Sequence, residues 1–519
     1  MRVNLQTVGN TGMQLGSVVE NAARRHPHNT IRLDHDLYLF PGTRLFTVRG
    51  LKEMVDDVSE RLASAGVRRG DYVAIYHPHT FDIPVIAYAT SRIGAVPVML
   101  SPGLDAATVG AMLPRIPDPW LISNREVNVD VSDLAVRGRT LVTGPAEDWA
   151  DAIQDFPRDI RAVSVKAQPA DPALVTHTSG TTGIPKMAIH TQFSLQARYR
   201  PQAAGVSLVR KKEPVAIHVS FVHSRMYSAM KIALNRGFPI LVLAHSDIGS
   251  AAVEMASFQP GIIEAHPNTF VEWEPLARDE REPLGNVKYF SSTFDALHPR
   301  TITTTLAATK RRFPIFAQLY GQSETGPIVA RAYTQFRKHD EDARCVGIPF
   351  PGMTSVRVTP RNGVRPSRKT PGYIEVRSQG RAVGFLGEQG RYDEMCRDDW
   401  WRMGDVGYVT RKGCLHMLDR EVDLVSGIDS TLEVEDHLLQ RLPELSEVVI
   451  IEGAGGVPQP IVCTHGDVPL DPERWANSTL DLPTLAAPVQ RSLDELPHTA
   501  TEKIRRTALK SQLDNGNDS

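Results

Sequence analysis

The chain has 519 residues, 41% of them hydrophobic and 23% charged, enough to bury a large core spread over roughly three structural units. Its formal net charge of -2 argues against a dedicated nucleic-acid binder, which would normally be basic. The most apolar segment, Ile232 to Ala244, is interrupted by Asn235, Arg236, Gly237 and Pro239, and is too short to span a bilayer.

From Leu51 the apolar residues Met54, Val55, Val58 and Leu62 recur at helical spacing, and Gly66 sits where a helix would stop. Asp71 to Tyr76 is a short apolar run bounded by Gly70 and Pro78, which predicts a buried strand. After an apolar segment from Ile83 to Ile93, a second strand is predicted at Ala95 to Leu100, and the pattern returns at Val215 to Ile217, Ile240 to Leu243 and Gly261 to Ile263. Helices alternating with nearly continuous apolar strands imply an α/β sheet covered on both faces. After about Gly347 the texture changes: Val356 to Val358, Tyr373 to Val376 and Gly413 to Leu418 are short strands split by Gly and Pro turns, a β-rich region. A further change falls near Asp419 and Arg420, leaving about a hundred residues for a small α/β unit. Cys345, Cys396, Cys414 and Cys463 form no CxxC pair, and the opening MRVNLQTVGNTG lacks the apolar stretch of a leader peptide. Both features lead to the expectation of a reduced, cytoplasmic protein with no structural zinc.

The sharpest local signal runs from Leu174 to Lys186, an apolar strand entering the loop Thr178-Ser179-Gly180-Thr181-Thr182-Gly183-Ile184-Pro185-Lys186. Glycines let backbone N–H groups approach phosphate oxygens, hydroxyls add donors, and the lysine adds a point charge. It is not a Walker loop, since Lys186 follows Pro185 and precedes Met187. The same residue types also fit an ordinary surface turn.

Thr178 to Lys186 resembles the phosphate-binding signature of the ANL superfamily, which includes acyl- and aryl-CoA synthetases, peptide-synthetase adenylation domains and luciferases. Further segments are similar to that superfamily in its own order. They are Gly94 to Val98, Tyr320-Gly321-Gln322-Ser323-Glu324-Thr325, Trp401 to Tyr408, Asp419-Arg420, and Leu496 to Arg505. Each is weak alone, and their joint order is specific.

The resemblance implies an α/β architecture in which residues 1–419 form a large N-terminal adenylation domain of mixed sheets flanked by helices, with a β-rich subdomain at about 345–419. Residues 420–519 would form a small mobile α/β domain turning on a hinge at Val422. It implies ATP, Mg²⁺ and coenzyme A as cofactors. The loop Thr178 to Lys186 would hold the β- and γ-phosphates, and Glu324 would bind Mg²⁺, a hard cation suited to a carboxylate. Ser292, Thr293 and Gly321 would border the nucleotide, with Ser323 near the α-phosphate and Tyr320 against the adenine. Asp405 and Arg420 would take the ribose hydroxyls, and Lys503 would reach between the carboxylate and the α-phosphate. Lys503, Glu324 and Lys186 would thus be the catalytic groups. His223, His266 and Phe294 map to the acyl pocket; read alone, each histidine is more often a satisfied structural residue, by about two to one.

The implied reaction is acyl-CoA synthesis. A carboxylic acid attacks the α-phosphorus of ATP, and the acyl group passes from the adenylate to CoA. Catalysis of this kind rests on positioning and electrostatic stabilisation rather than on a protein nucleophile. Three alternatives stay open: an enzyme of thioesterification only, supplied with acyl-adenylate by a partner; loading of a carrier protein; and a degenerate nucleotide or acyl-CoA sensor. Departures from the family pattern cluster at Ser292 to Asp295, Met403, Val422, the short loop Val425 to Asp429, and Glu502, where the family has glycine before the lysine.

Overall fold

The computed structural model describes residues 12–516 except 128, 137, 179–182, 294–296, 298, 336–343, 362 and 498–503. The helix expected from Leu51 runs over Val48–Ala65, where Thr47 caps it by accepting from the Gly50 amide. It ends because Gly66 takes a left-handed φ of 111°, a conformation that glycine reaches without a Cβ penalty. Leu51, Val55, Val58 and Leu62 are all buried along one face. The apolar segment after Pro78 is a helix, Asp82–Arg92. Its fully buried Asp82 carboxylate accepts from the Tyr38 and Leu39 amides and from the Thr80 hydroxyl.

Among the described residues, two large sheets make up most of the chain. In the eight-stranded sheet, Tyr72–Tyr76 and Val96–Leu100 lie side by side in parallel, and Val96–Leu100 pairs with Pro172–His177. Met187–Thr191 then returns antiparallel to Pro172–His177. The fourteen-stranded sheet has a parallel centre that includes Val215–His218, Ile262–Ala265, Tyr289–Thr293 and Ile315–Gln322. It continues through Gly326–Thr334 and Cys345–Pro349 into the hairpin of Trp400–Val409 and Leu415–Arg420. The largest core cluster fills the layer between the sheets with Phe81, Tyr88, Phe221, Tyr227 and Phe238. Nearly continuous apolar strands follow from that double-sided burial.

Beyond Arg420 a small sheet of Leu445–Glu452, Pro458–Thr464 and Val489–Gln490 carries its own apolar cluster. Half-buried Arg506 ties this unit to the turn after Arg420, reaching Glu435 at 2.6 Å and Asp423 at 3.9 Å. No described helix is long and apolar enough to cross a membrane. The cysteine expectation needs correction: Cys345 and Cys414 are joined as a disulfide, while Cys396 and Cys463 are free. Sixty-nine positions separate the pair in sequence, and only the pairing of their two strands brings them together.

Candidate functional site

The C-terminal ends of the parallel strands converge on one cleft, where α/β sheets bind their ligands. Strand Pro172–His177 delivers Thr178 to its edge, and Met187–Thr191 returns from Lys186. The loop between them is closed at its base. The Thr178 amide donates to the Lys186 carbonyl at 3.0 Å, and the Lys186 amide donates to the Thr178 hydroxyl at 3.2 Å. Gly183 has φ 133°, with nothing within 4 Å of the position a Cβ would take. Ser179, Gly180, Thr181 and Thr182 lie outside the described residues. His177 braces the loop from below, accepting from the Ser101 amide through Nε2 and donating from Nδ1 to the Thr178 carbonyl. Burial holds its pKa below the usual histidine value, in keeping with that neutral tautomer.

Across the cleft, strand Ile315–Gln322 carries Tyr320 and Gly321 into a tight hairpin with Gly326–Thr334. A Cβ on Gly321 would lie 2.0 Å from the Gly326 carbonyl oxygen, so glycine is required there. The hairpin turn presents Ser323 and Glu324. The Glu324 carboxylate lies 3.9 Å from Lys186 Nζ, which itself sits over the Phe385 ring at 5.1 Å. Among the described residues the Glu324 carboxylate accepts no hydrogen bond, although its backbone carbonyl accepts two, from Ala382 at 2.6 Å and Arg198 at 2.8 Å. A nearly buried carboxylate with free lone pairs beside an ammonium fits a Mg²⁺-bound polyphosphate, because the cation takes oxygen ligands and the lysine takes phosphate charge.

Tyr320 donates its hydroxyl to the buried Asp405 carboxylate. Asp405 and Arg420 are directly opposite on the hairpin of Trp400–Val409 and Leu415–Arg420, so both polar groups lie beside Tyr320. Val422 is 67% exposed in the turn Glu421–Asp423, next to the bidentate pair of Arg402 with Glu421. Met403 is buried, with its carbonyl accepting from the Gln322 amide group. Lys503 and Phe294 lie outside the described residues, so the cleft is described here without them.

His223 caps the helix Ser224–Arg236 by accepting from the Arg225 amide through Nδ1, and its Nε2 lies 3.2 Å from the Ser323 hydroxyl. Nε2 therefore carries the proton and points at Ser323. Burial, then the neighbouring His266 and Arg198, keeps its pKa far below the usual histidine value. His266 accepts from the Ser220 amide through Nε2. Ser292 is fully buried, and the Thr293 hydroxyl reaches Glu264 at 3.3 Å.

Sequence reasoning missed Arg198. It is 3% exposed and forks to the Gly380 carbonyl, the Ser224 hydroxyl and the Glu324 carbonyl. Burial brings its pKa down to about 9. An arginine among the polar residues of Gln192–Ser207 carries no signal of its own. Sequence reasoning also passed over Arg225 and Glu264, a pair 2.5 Å apart whose side chains are 6% and 5% exposed. Glu264 did leave a trace, as the one charge inside the run Gly261-Ile-Ile-Glu-Ala265.

A family profile described as AMP-binding enzyme matches residues 19–386. The chain is 41% identical over 531 residues to a 3-amino-2-hydroxy-4-methoxybenzoate diazotase of Streptomyces cremeus, covering 97% of this chain and 96% of that protein. It is 24% identical over 485 residues to a 2-succinylbenzoate–CoA ligase of Bacillus cereus, covering 90% and 94%. Its fold matches the crystal structure of an anthranilate CoA ligase in complex with anthranoyl-AMP, with a TM-score of 0.81, 18% identity and coverage of 98% and 99%.

Proposed function

The chain belongs to the AMP-binding enzyme family, the adenylate-forming ANL superfamily of the sequence analysis, and from that premise we propose that it is an aromatic-amine diazotase. The acid it activates is nitrite, and the acceptor is an aromatic amine bearing oxygen substituents. The observation that carries this reading is the 41% identity to a diazotase along nearly the whole of both chains. The polar site supports it: a buried Arg225–Glu264 pair beside Thr293 suits a small polar ring better than an aliphatic chain.

Nitrite presents the same planar O–X–O edge as a carboxylate, so the adenylation machinery serves both. One nitrite oxygen attacks the α-phosphorus of ATP, the bond to the β-phosphate breaks, and pyrophosphate leaves. In this reading the loop Thr178 to Lys186 holds the leaving phosphates. Glu324 holds Mg²⁺, which neutralises phosphate charge when bound. Tyr320, Gly321, Ser292 and Thr293 border the nucleotide, and Asp405 with Arg420 takes the ribose. Neutral His223 orients Ser323 at the α-phosphate, and Lys503 supplies positive charge as the two anions meet. The amine nitrogen then attacks the activated nitrogen: an N–N bond forms, the N–O bond to AMP breaks, and AMP leaves with the electron pair. The amine proton passes to a base. The resulting N-nitroso arylamine tautomerises and loses water to give the diazo product.

Acyl transfer to CoA, as expected from the sequence motifs, is the second reading, favoured by the similarity to a CoA ligase over 90% of the chain. One experiment separates the two. Purified protein with ATP and Mg²⁺ is given ¹⁵N-nitrite and an aminohydroxybenzoate panel, or CoA and a carboxylic-acid panel, with AMP and products followed by mass spectrometry. The diazotase reading expects nitrite-dependent AMP and one ¹⁵N in the aromatic product. AMP released only with acid and CoA, together with acyl-CoA, would overturn it.

A further inference from the structure

Resting on the diazotase reading, we infer that Arg225 and Glu264 form the acceptor subsite. In it Glu264 Oε2 takes an N–H of the aromatic amine, and Arg225 Nη1 takes an oxygen substituent ortho to it. Glu264 lies in Ile262–Ala265, one strand from Thr293 in the parallel sheet, and its side chain faces the layer between the two sheets with that of Thr293. Arg225 is the second residue of the helix Ser224–Arg236, two positions after its cap His223, which points at Ser323. The pair therefore stands one step from the group placed at the α-phosphate.

The pair is half-used by the protein itself. Arg225 donates to Glu264 from Nε, and its buried Nη1 has no hydrogen-bond partner among the described residues. Both hydrogen bonds that reach Glu264 from described residues, from Arg225 Nε and the Thr293 hydroxyl, end on Oε1. Oε2 is left without one. A buried ion pair with donors unmet costs stability unless something completes it. A ligand that presents an acceptor and a donor side by side completes both ends at once, and an ortho-aminophenol does so. An aliphatic acyl chain would leave both ends unmet.

The arrangement also gives the amine proton a destination. Once the amine nitrogen has bonded to the activated nitrogen it carries two protons and a positive charge, so either proton is strongly acidic and the Glu264 carboxylate, paired with Arg225, can take one. The neighbouring charged and titratable groups are His223, whose ring faces the helix start, and Arg198, which reaches Ser224. Thr293 fixes Glu264 from its own sheet.

The test is ring binding by calorimetry without nitrite, using 3-amino-2-hydroxybenzoate, 2-hydroxybenzoate (no amine) and 3-aminobenzoate (no hydroxyl). Wild type should bind the first at least about tenfold more tightly than either analogue. Glu264→Gln, an isostere that still accepts from Arg225 and Thr293, should reduce the preference for the amine below about threefold and keep that for the hydroxyl. Arg225→Lys should do the reverse, since a lysine cannot fork from Glu264 to a second oxygen. Circular dichroism checks folding, and if Arg225→Lys is unfolded, the Glu264→Gln arm decides alone. Wild type without either preference, or folded variants that keep both, would overturn the assignment. Nitrite-dependent AMP release by wild type is measured in parallel, so that failure of the diazotase reading shows there, while failure of this subsite shows in the binding preferences.

Discussion

Replacing Arg198 with methionine removes a buried guanidinium that holds three elements of the cleft together. Its three bonds go to the Gly380 carbonyl, the Ser224 hydroxyl and the Glu324 carbonyl. The Glu324 carbonyl keeps the Ala382 amide at 2.6 Å, whereas the Gly380 carbonyl has no second donor among the described residues. One unsatisfied buried carbonyl costs about 1–3 kcal/mol, and the lost charged bond to Ser224 adds about 1.5 kcal/mol. Against this, the variant no longer buries a charge, a cost already visible in the pKa of about 9. The net loss should be about 2–4 kcal/mol, or about 2–5 °C in melting temperature for a domain of this size. Because Glu324 is released at one of its two backbone tethers, AMP formation should fall by about a hundredfold, the usual consequence of displacing a positioned group by about 1 Å. Arg198→Lys should recover part of the stability, since an ammonium can satisfy one acceptor but not the fork. The assays are fluorimetric melting and AMP release in the presence of ATP, Mg²⁺ and the activated acid. Wild-type melting together with wild-type AMP release in Arg198→Met would refute the reasoning, and lost stability with full activity would show that Ala382 alone positions Glu324.

Three further outcomes follow from other parts of the molecule. Glu324→Ala should melt like wild type yet lose adenylation by at least about a hundredfold; near-normal AMP release at ordinary Mg²⁺ would remove its assigned role. Burial pushes Asp419 up to about 7, despite two hydrogen bonds from Thr431 and the charge of Arg506. The folded state thus binds this proton more tightly than the unfolded chain, so its stabilising contribution is full below about pH 4 and is lost as pH rises through 7. Asp419→Asn should flatten that part of the curve of melting temperature against pH, and an unchanged slope would place the titrating group elsewhere. Thiol titration of unfolded, unreduced protein should find Cys396 and Cys463 only; four reactive thiols would refute the Cys345–Cys414 pairing.

Much of the fold was legible because its signals are local. The helix ending at Gly66 shows apolar spacing and a glycine stop, and both report the buried face and the left-handed cap that the structure contains. The run Tyr72–Tyr76 reads as a strand because both of its faces are covered. The segment from Ile83 was ambiguous for the opposite reason: a helix buried almost all round, as Asp82–Arg92 is, carries no amphipathic period. In the site, the turn at Tyr320 to Glu324 was legible because its hairpin demands glycine at Gly321, against Gly326, whereas most of the hydroxyl- and glycine-rich signal after Thr178 falls outside the described residues.

By itself, then, the sequence determined the alternation of strands and helices and the turn at Tyr320 to Glu324, since each depends on neighbours within a few residues. Tertiary structure alone decided that Arg198 holds the Glu324 turn across 126 positions, that Arg225 meets Glu264 across 39, and that Cys345 meets Cys414 across 69. The physical reason is common to all three. Burial of a charge is tolerable only where the folded chain brings a partner to it, and a disulfide forms only where folding brings two thiols within reach; in each case the partner comes from an element remote in sequence, placed by sheet order and packing rather than by any local pattern.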